Sequence, residues 1–111
     1  VPLLPQTRNL LDAGRLSLLK HGAYLVNTAR GGLVDEEALH RALLEGRLAG
    51  AAIDTFAQEP PAGSPLLTLD NVIVTSHIGA YTREAVQRMG LLAAQNVVNF
   101  LAGTGPVHRV G

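Results

Sequence analysis

The chain has 111 residues, 47% of them apolar and 16% charged, which is enough apolar side chain for one packed domain and too little length for a two-domain enzyme. Nine basic and nine acidic residues cancel without any Lys/Arg stripe, which speaks against a nucleic-acid partner. The absence of cysteine removes disulfides, thiolate nucleophiles and Cys-ligated zinc, and fits a cytoplasmic location.

Val1-Pro2-Leu3-Leu4-Pro5 carries neither an initiator Met nor a signal-peptide pattern, and no apolar run approaches the ~18 residues of a membrane span, so no membrane partner is expected. The chain reads as a segment of a longer one. Asp12 is placed to cap a helix from Ala13 to Lys20 that Gly22 stops, with Lys20 and His21 at the negative end of its dipole. Ala23-Tyr24-Leu25-Val26 is a short strand bounded by Gly22 and Asn27-Thr28. Asp35-Glu36-Glu37 forms an acidic first turn ahead of Ala38, Leu39, Ala42 and Leu43, which share one face of a helix reaching Gly46. Leu48 to Ile53 is a buried strand of small side chains, expected to pack closely under a helix, and it stops at Asp54. Gln58-Glu59-Pro60-Pro61-Ala62-Gly63 is a loop, because consecutive prolines remove donors and bias the residue before them away from the helical region. Val72-Ile73-Val74 is a third strand. The longest helix starts at Tyr81 or Thr82, carries Ala85, Val86, Met89, Leu92, Ala93, Val97, Phe100 and Leu101 on an inward stripe, and ends at Gly103-Thr104-Gly105-Pro106.

Uniformly apolar strands separated by helices or long crossings predict an α/β fold: three parallel strands alternating with helices, covered on both faces, with a long C-terminal helix. Ligands of such sheets bind beyond the carboxyl ends of the strands. There the first strand runs into Asn27-Thr28-Ala29-Arg30-Gly31-Gly32, the second into Asp54 and then Glu59 on the proline loop, and the third into Thr75-Ser76-His77-Ile78-Gly79. Parallel strands would bring a cation, two carboxylates and an imidazole to one rim. Each residue also has a plain reading: Arg30 paired with a surface acid, Asp54 capping a turn, Glu59 solvated, His77 a satisfied structural histidine. Gly31 and Gly32 would let backbone approach a ligand closely. His21, His40 and His108 have no ligand-like spacing with His77, so no metal site is expected. No G-x-G-x-x-G follows a strand, so the phosphate-binding half of any dinucleotide site would lie outside this chain.

Asn27-Thr28-Ala29-Arg30-Gly31-Gly32-Leu33-Val34-Asp35, then Gly50-Ala51-Ala52-Ile53-Asp54-Thr55-Phe56 with Glu59-Pro60, then Ser76-His77-Ile78-Gly79-Ala80 resemble the three signature blocks of the D-2-hydroxyacid dehydrogenases. Leu3-Leu4-Pro5 leans toward the D-3-phosphoglycerate dehydrogenase branch. The resemblance implies the second half of a Rossmann-type doubly wound parallel sheet: residues 1–102 as the C-terminal half of an NAD-binding domain, and 103–111 as a tail leading back toward a substrate domain that is absent. By motif, Arg30 would hold a substrate carboxylate, His77 would be the acid/base and Glu59 its partner. Thr28, Ala29, Arg30, Asp54, His77, Ile78, Gly79 and Ala80 would flank the nicotinamide end of NAD, with NADP as the alternative cofactor and Asp54 accepting from the carboxamide. Three positions depart from the family: Ser76 stands where proline is common, Thr55 where valine is common, and Val1 where some members place a cofactor-contacting threonine.

The resemblance further implies hydride transfer on a small 2-hydroxy or 2-oxo acid, with 3-phosphoglycerate on the route to serine as the leading substrate and glyoxylate or hydroxypyruvate as alternatives. The parent would be a homo-oligomer. From a different class stands a dinucleotide-sensing scaffold resembling the C-terminal-binding corepressors. The segment alone is expected to be inactive, since it lacks the glycine-rich turn.

Overall fold

In the computed structural model, which describes residues 1–105, the Asp12 side chain accepts from the Arg15 amide and starts α1 (Ala13–Leu18). The helix stops short of Lys20. Its last carbonyls are met neither by Lys20 nor by His21, both exposed, but by the Arg47 guanidinium, which donates to Ser17 and Leu19. A cation there satisfies orphan acceptors and opposes the dipole.

β1 (Ala23–Asn27) follows, then a 3-10 turn (Gly31–Leu33) and α2 (Glu36–Leu44), capped where Asp35 accepts from the Ala38 amide. β2 (Leu48–Ile53), a second 3-10 turn (Pro65–Thr68) and β3 (Val72–Val74) complete residues 1–78, the first of two compact units. The strands form one parallel sheet in the order β1-β2-β3, so the α/β fold with parallel strands is present. Register decides what comes next. Asn27 pairs with Ile53, and Ile53 with Val74, so the three strands end level and deliver the following residues to one edge. The ladder runs one step further, with the Asp54 amide 2.9 Å from the Asn27 carbonyl and the Thr75 amide 3.0 Å from that of Ile53.

Leu16, Leu25, Leu39, Leu43, Leu48, Ile53, Phe56 and Leu66 belong to one buried cluster that joins α1 and α2 to the sheet. Complete burial of a leucine contributes ~1.5–3 kcal/mol, and Leu39, Leu48 and Leu66 are fully buried. Within this first unit one face of the sheet is buried, while Tyr24, Val26 and Ile73 on the other are exposed. Alternation along a strand sends neighbours to opposite faces, and the buried cluster takes only one of these sets. Gly50 differs from expectation. A Cβ on it would lie 3.1 Å from the Tyr24 ring and 2.9 Å from the Asn71 carbonyl, so its smallness makes room for a cross-strand aromatic and not for a helix.

The second unit, residues 79–111, contains α3 (Arg83–Leu101), started by the Thr82 hydroxyl accepting from the Ala85 amide and closed at Gly103 with φ 73°. No residue of α3 is buried. The tail expected over 103–111 lies, from residue 106 on, outside the described residues, as does His108. Among the described residues no helix is long and apolar enough to cross a membrane.

Candidate active site

Asn27, at the end of β1, is buried. Its side-chain oxygen accepts from the Ala29 amide at 3.1 Å and its nitrogen donates to the Arg30 carbonyl at 3.0 Å, a local turn of the Asx kind that folds Thr28 to Arg30 back over the strand end. Sequence reading passed over this residue as the polar end of a strand. The Arg30 guanidinium donates to the Ala29 carbonyl at 2.7 Å. From the other side the N-terminal loop is stitched on, the Asn9 amide to the Gly32 carbonyl at 2.8 Å and the Leu11 amide to the Leu33 carbonyl at 2.9 Å.

Gly31 answers to a different need from the one its sequence context suggests. A Cβ built there would overlap the Phe56 carbonyl and the Ala57 amide nitrogen. The close approach is therefore between two segments of the protein's own backbone, locking the Arg30 turn against the chain that leaves β2.

Asp54 ends β2 and is 4% exposed. Its Oδ1 accepts from the Thr75 hydroxyl at 2.5 Å and from the Ile78 amide at 2.8 Å, as a buried carboxylate requires. These two bonds bracket His77. That residue has φ 57°, a left-handed conformation that costs a non-glycine residue ~1–2 kcal/mol and persists where neighbours over-determine it.

Glu59, on the proline loop, takes His77 from the other side. Nδ1 of the ring lies 2.9 Å from Glu59 Oε2 and 3.1 Å from Oε1, and Oε1 also accepts from the Phe56 amide at 3.0 Å. The hydrogen bond from His77, and after it that from the Phe56 amide, hold the Glu59 carboxyl below its ordinary value of 4.5. The second ring nitrogen, Nε2, makes no hydrogen bond among the described residues.

A hollow of about 220 Å³ is lined by Arg30, Glu59 and His77 together with Leu3, Thr55 and Phe56. A second, of about 240 Å³, is lined by Asp54, Pro60, Pro61, Thr75, Ser76, Glu59 and His77. The Glu59–His77 pair is a shared wall. A guanidinium beside an imidazole oriented by a carboxylate can hold an anion and exchange one proton with it. Thr28 and Ala29 sit in the Asn27 turn, and Ile78 enters through its amide; Gly79 and Ala80 belong to the second unit. Among the described residues no cluster of His, Asp and Glu could hold a metal ion.

Residues 1–79 match the family described as D-isomer specific 2-hydroxyacid dehydrogenase, NAD binding domain. The chain is 50% identical over 103 residues to the D-3-phosphoglycerate dehydrogenase of Methanocaldococcus jannaschii, covering 93% of this chain and 20% of that protein. It is 51% identical over 107 residues to the glyoxylate reductase of Thermofilum pendens, covering 96% and 32%. The crystal structure of a D-isomer specific 2-hydroxyacid dehydrogenase from Xanthobacter autotrophicus Py2 in complex with NADPH and MES superposes with a TM-score of 0.83 at 40% identity, over 100% of this chain and 46% of that one. The chain thus spans a fifth to a third of the length of these two curated relatives.

Proposed function

The chain belongs to the D-isomer specific 2-hydroxyacid dehydrogenase family, in its NAD-binding part, and we propose that it supplies the proton-transfer and carboxylate-binding side of a hydride-transfer site. The observation that carries this reading is the hollow shared by Arg30, Glu59 and His77, with Glu59 on Nδ1 and Nε2 left to the substrate oxygen. A nicotinamide cofactor, held beside His77 by the residues named below, would supply the hydride acceptor or donor for the substrate's C2.

Arg30 receives the substrate carboxylate in its bidentate fork and so turns C2 to a fixed face. His77 Nε2 takes the hydroxyl proton as the C–O bond becomes C=O, and returns it in the reductive direction. Glu59 holds the ring tautomer and balances the imidazolium that forms. Thr28, Ala29, Arg30, Asp54, His77 and Ile78 would flank the nicotinamide; the hollow beside His77, walled by the Thr75 and Ser76 segment and the two prolines, lies where a parallel sheet admits such a ligand. The pyrophosphate end and the rest of the substrate site would be supplied by chain beyond these residues.

The relatives support two substrates about equally. D-3-Phosphoglycerate is supported by the 50% identical relative, named D-3-phosphoglycerate dehydrogenase, and glyoxylate by the 51% identical one, named glyoxylate reductase. The test is an assay of the full-length protein that carries this segment, following NADH formation with 3-phosphoglycerate and NADH consumption with glyoxylate. Turnover with one of them, lost in His77→Ala and reduced mainly through KM in Arg30→Ala, is expected. Cofactor binding with no turnover of any 2-hydroxy acid would overturn the reading in favour of a dinucleotide-sensing scaffold.

A further inference from the structure

We infer that Glu36 is a positioning residue for the Glu59–His77 pair, its carboxylate clamping both ends of the loop that carries Glu59. From the first turn of α2, Glu36 Oε1 accepts the Ala57 amide at 2.7 Å, and Oε2 accepts the Ser64 hydroxyl at 3.3 Å. Gln58 to Gly63, with Glu59 among them, are thereby bracketed by one side chain. The adjacent amide, that of Phe56, goes to Glu59 itself. Two consecutive backbone N–H groups therefore end on two different carboxylates, and Gly31 closes the third side of the same peptide.

A favourable charge at a helix start explains Asp35 and Glu37 as well as it explains Glu36. It does not explain why Glu36 is half-buried while Glu37 is exposed, or why Glu36 alone of the two reaches across to the loop. A side chain long enough to meet Ala57 at one end and Ser64 at the other suits a loop that has no ladder or helix of its own. Through this clamp the helix start sets the height of Glu59, and Glu59 sets the ring of His77.

Only the kinetic arm of the test rests on the proposed reaction. Glu36→Gln keeps the reach and an acceptor but loses the charge, whereas Glu36→Asp keeps the charge at the helix start and is one methylene shorter. In the 111-residue chain the Glu59 carboxyl titration, read by side-chain NMR, is expected to rise toward its ordinary value in Glu36→Asp and Glu36→Ala and to stay in place in Glu36→Gln. In the full-length protein kcat should fall about tenfold in Asp and Ala, with KM within about twofold, and recover in Gln. The inference is overturned if Asp behaves as wild type while Gln is impaired, the pattern of a helix-start charge, or if no variant moves the Glu59 titration. Should Glu36→Ala fail to fold, the Asp and Gln pair still decides. Absence of turnover in the wild type sinks the proposed reaction alone, and a Glu59 titration that follows the expected pattern still supports the clamp.

Discussion

Nδ1 of His77 lies 2.9 Å from Glu59 Oε2 across 18 positions of sequence, and that bond is the largest reason the Glu59 carboxyl is held below 4.5. The folded state thus favours the charged carboxylate more than the unfolded chain does. The stabilisation is fully present above pH 4.5 and is lost as pH falls through the lower folded value. Urea midpoints of wild type and Glu59→Gln are expected to differ at about pH 6 and to draw together progressively as the pH is lowered below 4.5. A gap that widened on acidification would contradict the pairing.

Gly31→Ala must push a methyl into the backbone of Phe56 and Ala57, which cannot yield as a flexible side chain would. The cost belongs at the upper end of the ~1–3 kcal/mol of overpacked sites. Gly14→Ala in α1, with only the Asp12 carboxylate at 3.4 Å, is the contrasting case and should stabilise by up to ~1 kcal/mol through helix propensity. Urea denaturation of the pair checks both signs.

The Thr55 hydroxyl is buried with no hydrogen-bond partner among the described residues, and the residue is 2% exposed. Thr55→Val keeps the shape and removes the stranded group. It should raise stability by ~1 kcal/mol, seen as a thermal midpoint several degrees higher; a lower midpoint would mean that the hydroxyl is satisfied in solution.

Asn27→Ala frees the Ala29 amide and the Arg30 carbonyl together, whereas Asn27→Asp keeps the acceptor and loses only the donor. In the full-length protein the expected order of KM for the carboxylate substrate is wild type, then Asp, then Ala, because the turn that presents Arg30 loosens in that order. The stability loss for Ala is ~1–2 kcal/mol. Equal KM values in all three would show that Arg30 does not depend on the turn.

The sequence by itself determined the strands, the cap at Asp12, the acidic start of the helix after Asp35, the start of the last helix to within a residue, and which chemical groups follow each strand. These signals reach only from one residue to the next few, through period-2 and period-3.6 patterns and caps that bond three positions on. Through its three motif blocks it also pointed to the family. Tertiary structure alone decided that Asn27, Ile53 and Val74 end level, which face of the sheet the core of the first unit buries, and that Gly31 meets protein backbone. It alone made Arg47 the partner of the α1 carbonyls and Glu36 that of Ala57. Those partners lie 21 to 30 positions apart, and their meeting depends on strand register and loop path, which no local spacing specifies.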